Sequence, residues 1–494
     1  MNPFKKLAGQ TAIYGIPTIL GRMLNYLLVP LYTYIFSTSE YGVVTEMYAY
    51  SSVFLVILTY GMETALFRFS QMEENKDKVY STALISIIIS SAIFILISCF
   101  FATPISNGIH YPNNREYIIW FALILGTDAL CNIVFARLRE QDQAKKFAVI
   151  KSINISINIL LNVFFIVICR RAYLNTDSSF HTIAQTIYNP AVGVGYIFLS
   201  NLVASVITVV LLLPEYLKIR FAFDSVLWKK MMFYALPLML AGLGGIINET
   251  MDRILLKYLL PDKSTAMAQL GIYGACYKVA ILMTIFIQTF RFAAEPFFFS
   301  HSKEKNAQQT YADVMKYFVI ACSFIFLATM MYIDFIQYFV GEDFRTGLKV
   351  VPILLLANLC LGIFFNLSIW YKLTGDTRYG AYLSAFGAAI TLLFNFWLIP
   401  TMGYMASAWT TLICYFSMMV ASYFIGQKNY PINYDLKRIL GYLGLSLILF
   451  FISISLSFNT VPVKLGVNTF LLLIFVVTIY FFEKPRMQNA DQNN

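Results

Sequence analysis

The feature that most constrains this chain is a train of apolar runs recurring from one end to the other, each long enough to cross a bilayer. Crossing about 30 Å of hydrocarbon at about 1.5 Å per residue takes roughly twenty helical residues. Away from water, only a helix or a closed barrel satisfies every backbone N–H and C=O. Fourteen segments qualify: 8–36, 42–68, 79–103, 117–136, 147–169, 191–214, 229–259, 269–299, 311–335, 350–371, 379–400, 404–426, 438–457 and 464–482. The expected fold class is an all-α polytopic membrane protein of about 14 transmembrane helices. Composition excludes the alternative. Of 494 residues, 59% are hydrophobic and 13% charged, against about 45–50% and about 25% in a soluble chain, so a soluble enzyme is ruled out.

The first segment is expected to persist as a span rather than be cleaved. It is too long for a signal peptide, lacks a small-residue cleavage site and carries Arg22 in its middle. Lys and Arg in the short loops set the orientation. With the N-terminus in the cytoplasm they divide 21 inside to 7 outside, which places both termini inside and makes the span number even. The net charge of +10 then reflects this bias and contact with anionic headgroups, and no nucleic-acid partner is expected. The longest loop, 170–190, leaves no room for a catalytic domain, so the chain is not expected to be an enzyme. Three His and seven scattered Cys without a CxxC pair give neither a metal site nor a disulfide framework.

The chain resembles itself at an offset of about 220 residues. Lys5-Lys6 and Tyr14-Gly15-Ile16-Pro17 correspond to Lys229-Lys230 and Tyr234-Ala235-Leu236-Pro237, and Phe67-Arg68-Phe69 to Phe290-Arg291-Phe292. Arg139-Glu140-Gln141-Asp142 with Leu161-Asn162-Val163-Phe164 corresponds to Lys372 through Asp376 with Phe394-Asn395-Phe396, and Gly195-Tyr196 to Gly403-Tyr404. The expected organisation is an N-terminal lobe of six spans (1–220), a C-terminal lobe of six (221–430), then two extra helices and a cytoplasmic tail (431–494). Six is even, so the lobes are related by a pseudo-two-fold along the membrane normal and enclose a cavity that can open to either side.

A charge at the bilayer centre costs about 2.5–3.5 kcal/mol on insertion scales, so ionisable residues within spans face protein or water. Eight cations lie there (Arg22, Arg68, Lys151, Arg253, Lys257, Lys278, Arg291, Lys316) against six acids (Glu46, Glu63, Asp128, Glu249, Asp252, Glu295). On segment 7, the spacing of Glu249, Asp252, Arg253 and Lys257 predicts one shared helix face. That face is either a self-neutralising ion-pair ladder or a site in which Glu249 or Asp252 binds a proton or Na⁺ and Arg253 senses the substrate. Arg22 and Asn25 lie one turn apart without an acid nearby on their helix and suit anion binding, as does Lys278. Arg291–Glu295 and Glu63 with Arg68 read as gate or lobe contacts rather than ligands. Glu46 reads as an outer gate or an interfacial carboxylate. Lys151, Arg68 and Lys316 are expected to snorkel to headgroups. Asn154, Asn158 and Asn162 form a stripe suited either to sugar hydroxyls or to interhelical hydrogen bonds.

The phrases Gly21-Arg22, Val29-Pro30-Leu31-Tyr32, Glu40-Tyr41-Gly42-Val43-Val44, Arg137 through Asp142, Tyr371 through Arg378 and Gly403-Tyr404 resemble the polysaccharide biosynthesis (Wzx-type) oligosaccharide flippases. These belong to the superfamily that also contains lipid II flippases and multidrug extruders. Tyr60 through Thr64 and Asn248 through Tyr258 resemble the Bacteroidetes branch. The resemblance covers spans 1–12 and is one of hydropathy alone for 13 and 14. It implies a flippase of the bacterial inner membrane, moving an undecaprenyl-pyrophosphate-linked oligosaccharide from the cytoplasmic to the periplasmic leaflet by alternating access. It also implies diphosphate contacts at Arg22, Arg253 and Lys278, and H⁺ or Na⁺ coupling through Glu249 or Asp252. No cofactor is implied; membrane lipids and a downstream polysaccharide polymerase are the implied partners. A drug or cation antiporter of the same superfamily, disfavoured by the excess of interior cations, and a lipid II flippase are the competing readings.

Overall fold

The computed structural model describes residues 23–492 apart from 25, 219–221, 303, 305 and 457–459. Among these, thirteen helices are long and apolar enough to cross a membrane. They coincide with the second to fourteenth segments read from the sequence. The first segment lies largely outside the described residues, which include only its end, the helix Leu28–Ile35. Large apolar side chains such as Phe233 and Leu96 point outward, 86% and 69% exposed, which suits contact with lipid.

Local chemistry explains where helix ends differ from the apolar runs. Thr38–Thr59 starts before its run because Ser37 and Glu40 form a reciprocal capping box. Ser225–Leu259 likewise starts early, at Asp224, whose side chain accepts from the Val226 and Leu227 N–H groups. Lys78 (2.6 Å) and those two N–H groups hold the Asp224 carboxyl down at about 2. The second span breaks at Tyr60 and Gly61, both left-handed with φ of 31° and 71°. Gly61 also presses on the Ala235 carbonyl oxygen, which a Cβ would meet at 2.8 Å, so both conformation and space call for glycine. Met62–Met72 then continues the span. The eighth span is two helices, Lys263–Val279 and Ile281–His301.

The chain forms two compact units, Met1–Gly274 and Ala275–Asn494. The core of the first is built from Met62 and Leu66, Leu84 and Ile87, Ile133 and Val134, and Met231 of Ser225–Leu259. That helix, which the sequence repeat places in the second copy, packs here along Thr38–Thr59 and Met62–Met72. In the second unit, Tyr404–Asn429 packs along both Val351–Leu367 and Arg378–Met402 around Phe364, Trp370, Leu383 and Tyr415.

The repeat read from the sequence is visible as matching local devices. Asn162 and Asn395 are each fully buried and donate to the carbonyl one turn back, of Asn158 and Thr391, at 2.8 Å. The loops before the fifth and eleventh spans turn through left-handed Asp142 (φ 56°) and Gly375 (φ 81°). Those before the sixth and twelfth turn through Gly193 (φ 51°) and Gly403 (φ 58°). Arg139 pairs with Glu63 at 2.6 Å in the first unit, as Lys372 does with Glu295 at 2.6 Å in the second.

Candidate functional site

Glu46, two turns into Thr38–Thr59, is wholly buried. Its Oε2 accepts from Lys257 Nζ at 2.9 Å and from the Tyr111 hydroxyl. Oε1 takes no hydrogen bond among the described residues. Tyr50, one turn along, bonds its hydroxyl to Tyr258 at 2.8 Å and interacts with the Glu46 carboxylate through both charge and its hydroxyl. Lys257 Nζ also donates to the Ile109 carbonyl at 2.6 Å and lies 4.0 Å from the centre of the Tyr111 ring. Burial first, then the Glu46 charge, pushes the Tyr111 phenol well above the usual tyrosine value, so it remains a donor. Two charges withdrawn from water are tolerated only because each is the other's partner.

Beside this pair the backbones nearly touch. A Cβ on Gly42 would run into the Met267 carbonyl oxygen, one on Gly271 into the Thr38 carbonyl oxygen, and one on Gly274 into the Thr45 side chain. Glycine at these positions lets the start of Thr38–Thr59 lie against the 263–274 stretch with no side chain between them. The Tyr111 hydroxyl, 3.9 Å from Met267 Sδ, closes the same end.

The residues singled out on segment 7 do not share one environment. Glu249 is exposed, whereas Asp252 is buried and accepts from the Tyr273 hydroxyl at 2.5 Å. Lys257 turns away from its own helix to Glu46, so the self-neutralising ladder is not formed at its Lys257 end. Arg22 and Asn25 lie outside the described residues. Arg253 sits between the buried Asp252 and Lys257 on Ser225–Leu259, and Lys278 ends Lys263–Val279 in the second unit. Within the asparagine stripe, Asn154 donates to Thr208 Oγ1 at 2.8 Å and Asn162 accepts from the Tyr32 hydroxyl at 2.9 Å. Those two make interhelical bonds, while Asn158 accepts from Asn162.

The four residues read as gate or lobe contacts make their described contacts within one compact unit each, although Arg68, over the Tyr234 ring, joins the expected 1–220 and 221–430 lobes. Glu63 pairs with Arg139 rather than Arg68, and Arg68 stacks on Tyr234 at 4.3 Å. Glu295 pairs with both Arg291 (3.2 Å) and Lys372 (2.6 Å), with Arg291 over the Phe365 ring.

The expectation that Lys316 snorkels is overturned. Its side chain is 2% exposed and pairs with Glu483 at 2.7 Å. Glu483 also accepts from Arg438 Nη1 (2.9 Å), Tyr442 (2.6 Å) and, more weakly, Tyr317 (3.5 Å). A buried carboxylate that saturates two cations outcompetes the headgroup region for the lysine. Neither this node nor the Glu46–Lys257 pair has a local sequence signal, because their partners lie 167 and 211 residues apart. Among the described residues, no three His, Cys, Asp or Glu side chains converge to hold a metal ion.

Comparison with known structures places this fold among membrane transporters. The structure of the lipid II flippase MurJ in an inward closed conformation is similar with a TM-score of 0.72 at 15% identity, over 96% of this chain and 99% of that one. An inward-facing multidrug resistance MATE family transporter of the MOP superfamily gives 0.62 at 12% identity, over 85% and 94%. A MOP superfamily transporter from Pyrococcus furiosus, described as having a binding pocket of reverse polarity, gives 0.55 at 14% identity, over 85% and 95%. No curated protein sequence matches the chain. Residues 7–302 match the polysaccharide biosynthesis protein family, and the chain belongs to that family.

Proposed function

We propose that this protein is a flippase that carries an undecaprenyl-pyrophosphate-linked oligosaccharide from the cytoplasmic to the periplasmic leaflet of the bacterial inner membrane for surface polysaccharide synthesis. Membership of the polysaccharide biosynthesis family, on a fold shared with a lipid II flippase, is the observation that carries this reading. Fold alone leaves the sign of the cargo open, since the reverse-polarity transporter and the multidrug transporter are both similar to this chain. The excess of interior Lys and Arg favours an anionic cargo: a diphosphate sheds its water only where charge-assisted hydrogen bonds replace it.

In this reading the two six-span lobes, 1–220 and 221–430, rock about the cargo. The Glu46–Lys257 pair and the glycine seam form the closed outer gate, because the Lys/Arg asymmetry assigns their connections to the periplasmic side. Arg22, Arg253 and Lys278 supply the diphosphate contacts. Asp252, the buried one of the two acids, is the better candidate for proton or Na⁺ coupling.

Depletion of the protein followed by lipid extraction tests the reading. The expected result is a repeat-unit oligosaccharide on undecaprenyl pyrophosphate, accumulating in the cytoplasmic leaflet as surface polysaccharide is lost. No accumulation, with hypersensitivity to cationic dyes, would move the protein to the drug antiporters. Accumulation of the cell-wall precursor would make it a lipid II flippase.

A further inference from the structure

The hydrogen-bonding and charged partners of the Lys257 ammonium lie on other elements: Glu46 on Thr38–Thr59, and the Ile109 carbonyl on the connection after Ala102–Gly108, which also supplies the nearer of its two aromatic rings, Tyr111 at 4.0 Å against Tyr258 of its own helix at 5.7 Å. No acid of its own helix replaces them. Arg253 occupies the position one turn back, and the exposed Glu249 lies two turns back. Glu46 is similarly placed, holding Lys257 and Tyr111 on one oxygen. The glycine seam, where Thr38–Thr59 lies against the 263–274 stretch, is at the same end.

Opening the outer end separates Thr38–Thr59 from Ser225–Leu259 and so parts the two charges. A carboxylate and an ammonium left alone in a low-dielectric wall are both costly. The ammonium needs a new anion, and the anion that arrives on this path is the cargo's diphosphate. The bared carboxylate repels the same diphosphate, and reclosure returns Lys257 to Glu46 and displaces the cargo outward. We propose that Lys257 is a diphosphate contact that Glu46 withholds while the outer end is closed and reclaims when the cargo leaves. This inference rests on the flippase reading and adds to it a residue and a release step.

The test uses the full-length protein in a neutral maltoside detergent, with farnesyl diphosphate as a water-soluble polyprenyl diphosphate and farnesol as the control for the tail. Binding is measured for wild type, Glu46→Gln, Lys257→Gln and the double variant. Glu46→Gln is expected to tighten farnesyl diphosphate binding at least fivefold and leave farnesol unchanged. Lys257→Gln is expected to weaken diphosphate binding, and the double variant to match Lys257→Gln. A gain in affinity cannot come from misfolding, so the key readout survives any loss of stability. If wild type binds farnesyl diphosphate and Glu46→Gln binds it no better, the exchange is wrong and the flippase reading stands. A gain that persists without Lys257 also overturns it. If no variant binds the diphosphate while wild type binds a cationic dye, the inference and the flippase reading fall together.

Discussion

Among the described residues, each unit of the molecule holds one carboxylate–lysine pair buried on both sides, and the two pairs are finished differently. Glu483 in the second unit has both oxygens occupied, by Lys316, Arg438 and two tyrosine hydroxyls, which ties Ala307–Met331, Leu436–Ser455 and the last helix together. Glu46 in the first unit has one oxygen doubly used and the other without a hydrogen bond among the described residues. A saturated network resists separation, because every member loses a partner at once. An incompletely saturated pair can part at lower cost. With Glu46–Lys257 as the proposed outer gate, the difference separates a fixed joint from a contact made to break.

Attacking the fixed joint should have the largest effect on stability. Glu483→Gln strands Lys316 and Arg438 without their anion and should cost about 3–5 kcal/mol, the range for breaking a buried pair, read as a large fall in thermal stability in detergent. The same change at Glu46 should cost less, about 1–3 kcal/mol, since Lys257 keeps the Ile109 carbonyl and the Tyr111 ring. Equal losses at the two sites would erase the distinction. Replacing Glu46 and Lys257 together by leucine should restore most of that stability while export fails. Export by such a double variant would show that the pair is only structural. Tyr442→Phe removes one of several donors to Glu483 and should cost about 1 kcal/mol. Smallest of all, Glu63→Gln breaks a part-exposed pair with Arg139 and should cost under about 1 kcal/mol, shrinking further at high salt.

What could be read from the sequence was what repeats or runs along one helix. The apolar runs placed every described span, and the Asn162/Asn395 correspondence identified residues that do the same local work in both units. Partnerships across the fold were not legible. The i,i+4 spacing put Lys257 on a ladder with Arg253, yet a long flexible lysine reaches whichever acid lies near it in space, and Glu46 is 211 residues away. The same blindness made Lys316 look like a snorkelling lysine and passed over Glu483, which sits at the end of the last apolar run. Glycines 42, 271 and 274 looked unremarkable in the sequence because their significance lies in the carbonyls and side chain they face.

In the proposed mechanism, lipid-linked cargo crosses only if the outer end opens. Thr45 and Gly274 are in contact there, so a Thr45→Cys/Gly274→Cys pair can be oxidised to hold it shut. The direct measurement is leaflet-to-leaflet movement of a fluorescent polyprenyl-diphosphate oligosaccharide in proteoliposomes containing this variant. A gate at this end predicts transport in the reduced protein, none after oxidation, and recovery with reductant. Equal transport in both states, or none in the wild type, would contradict it.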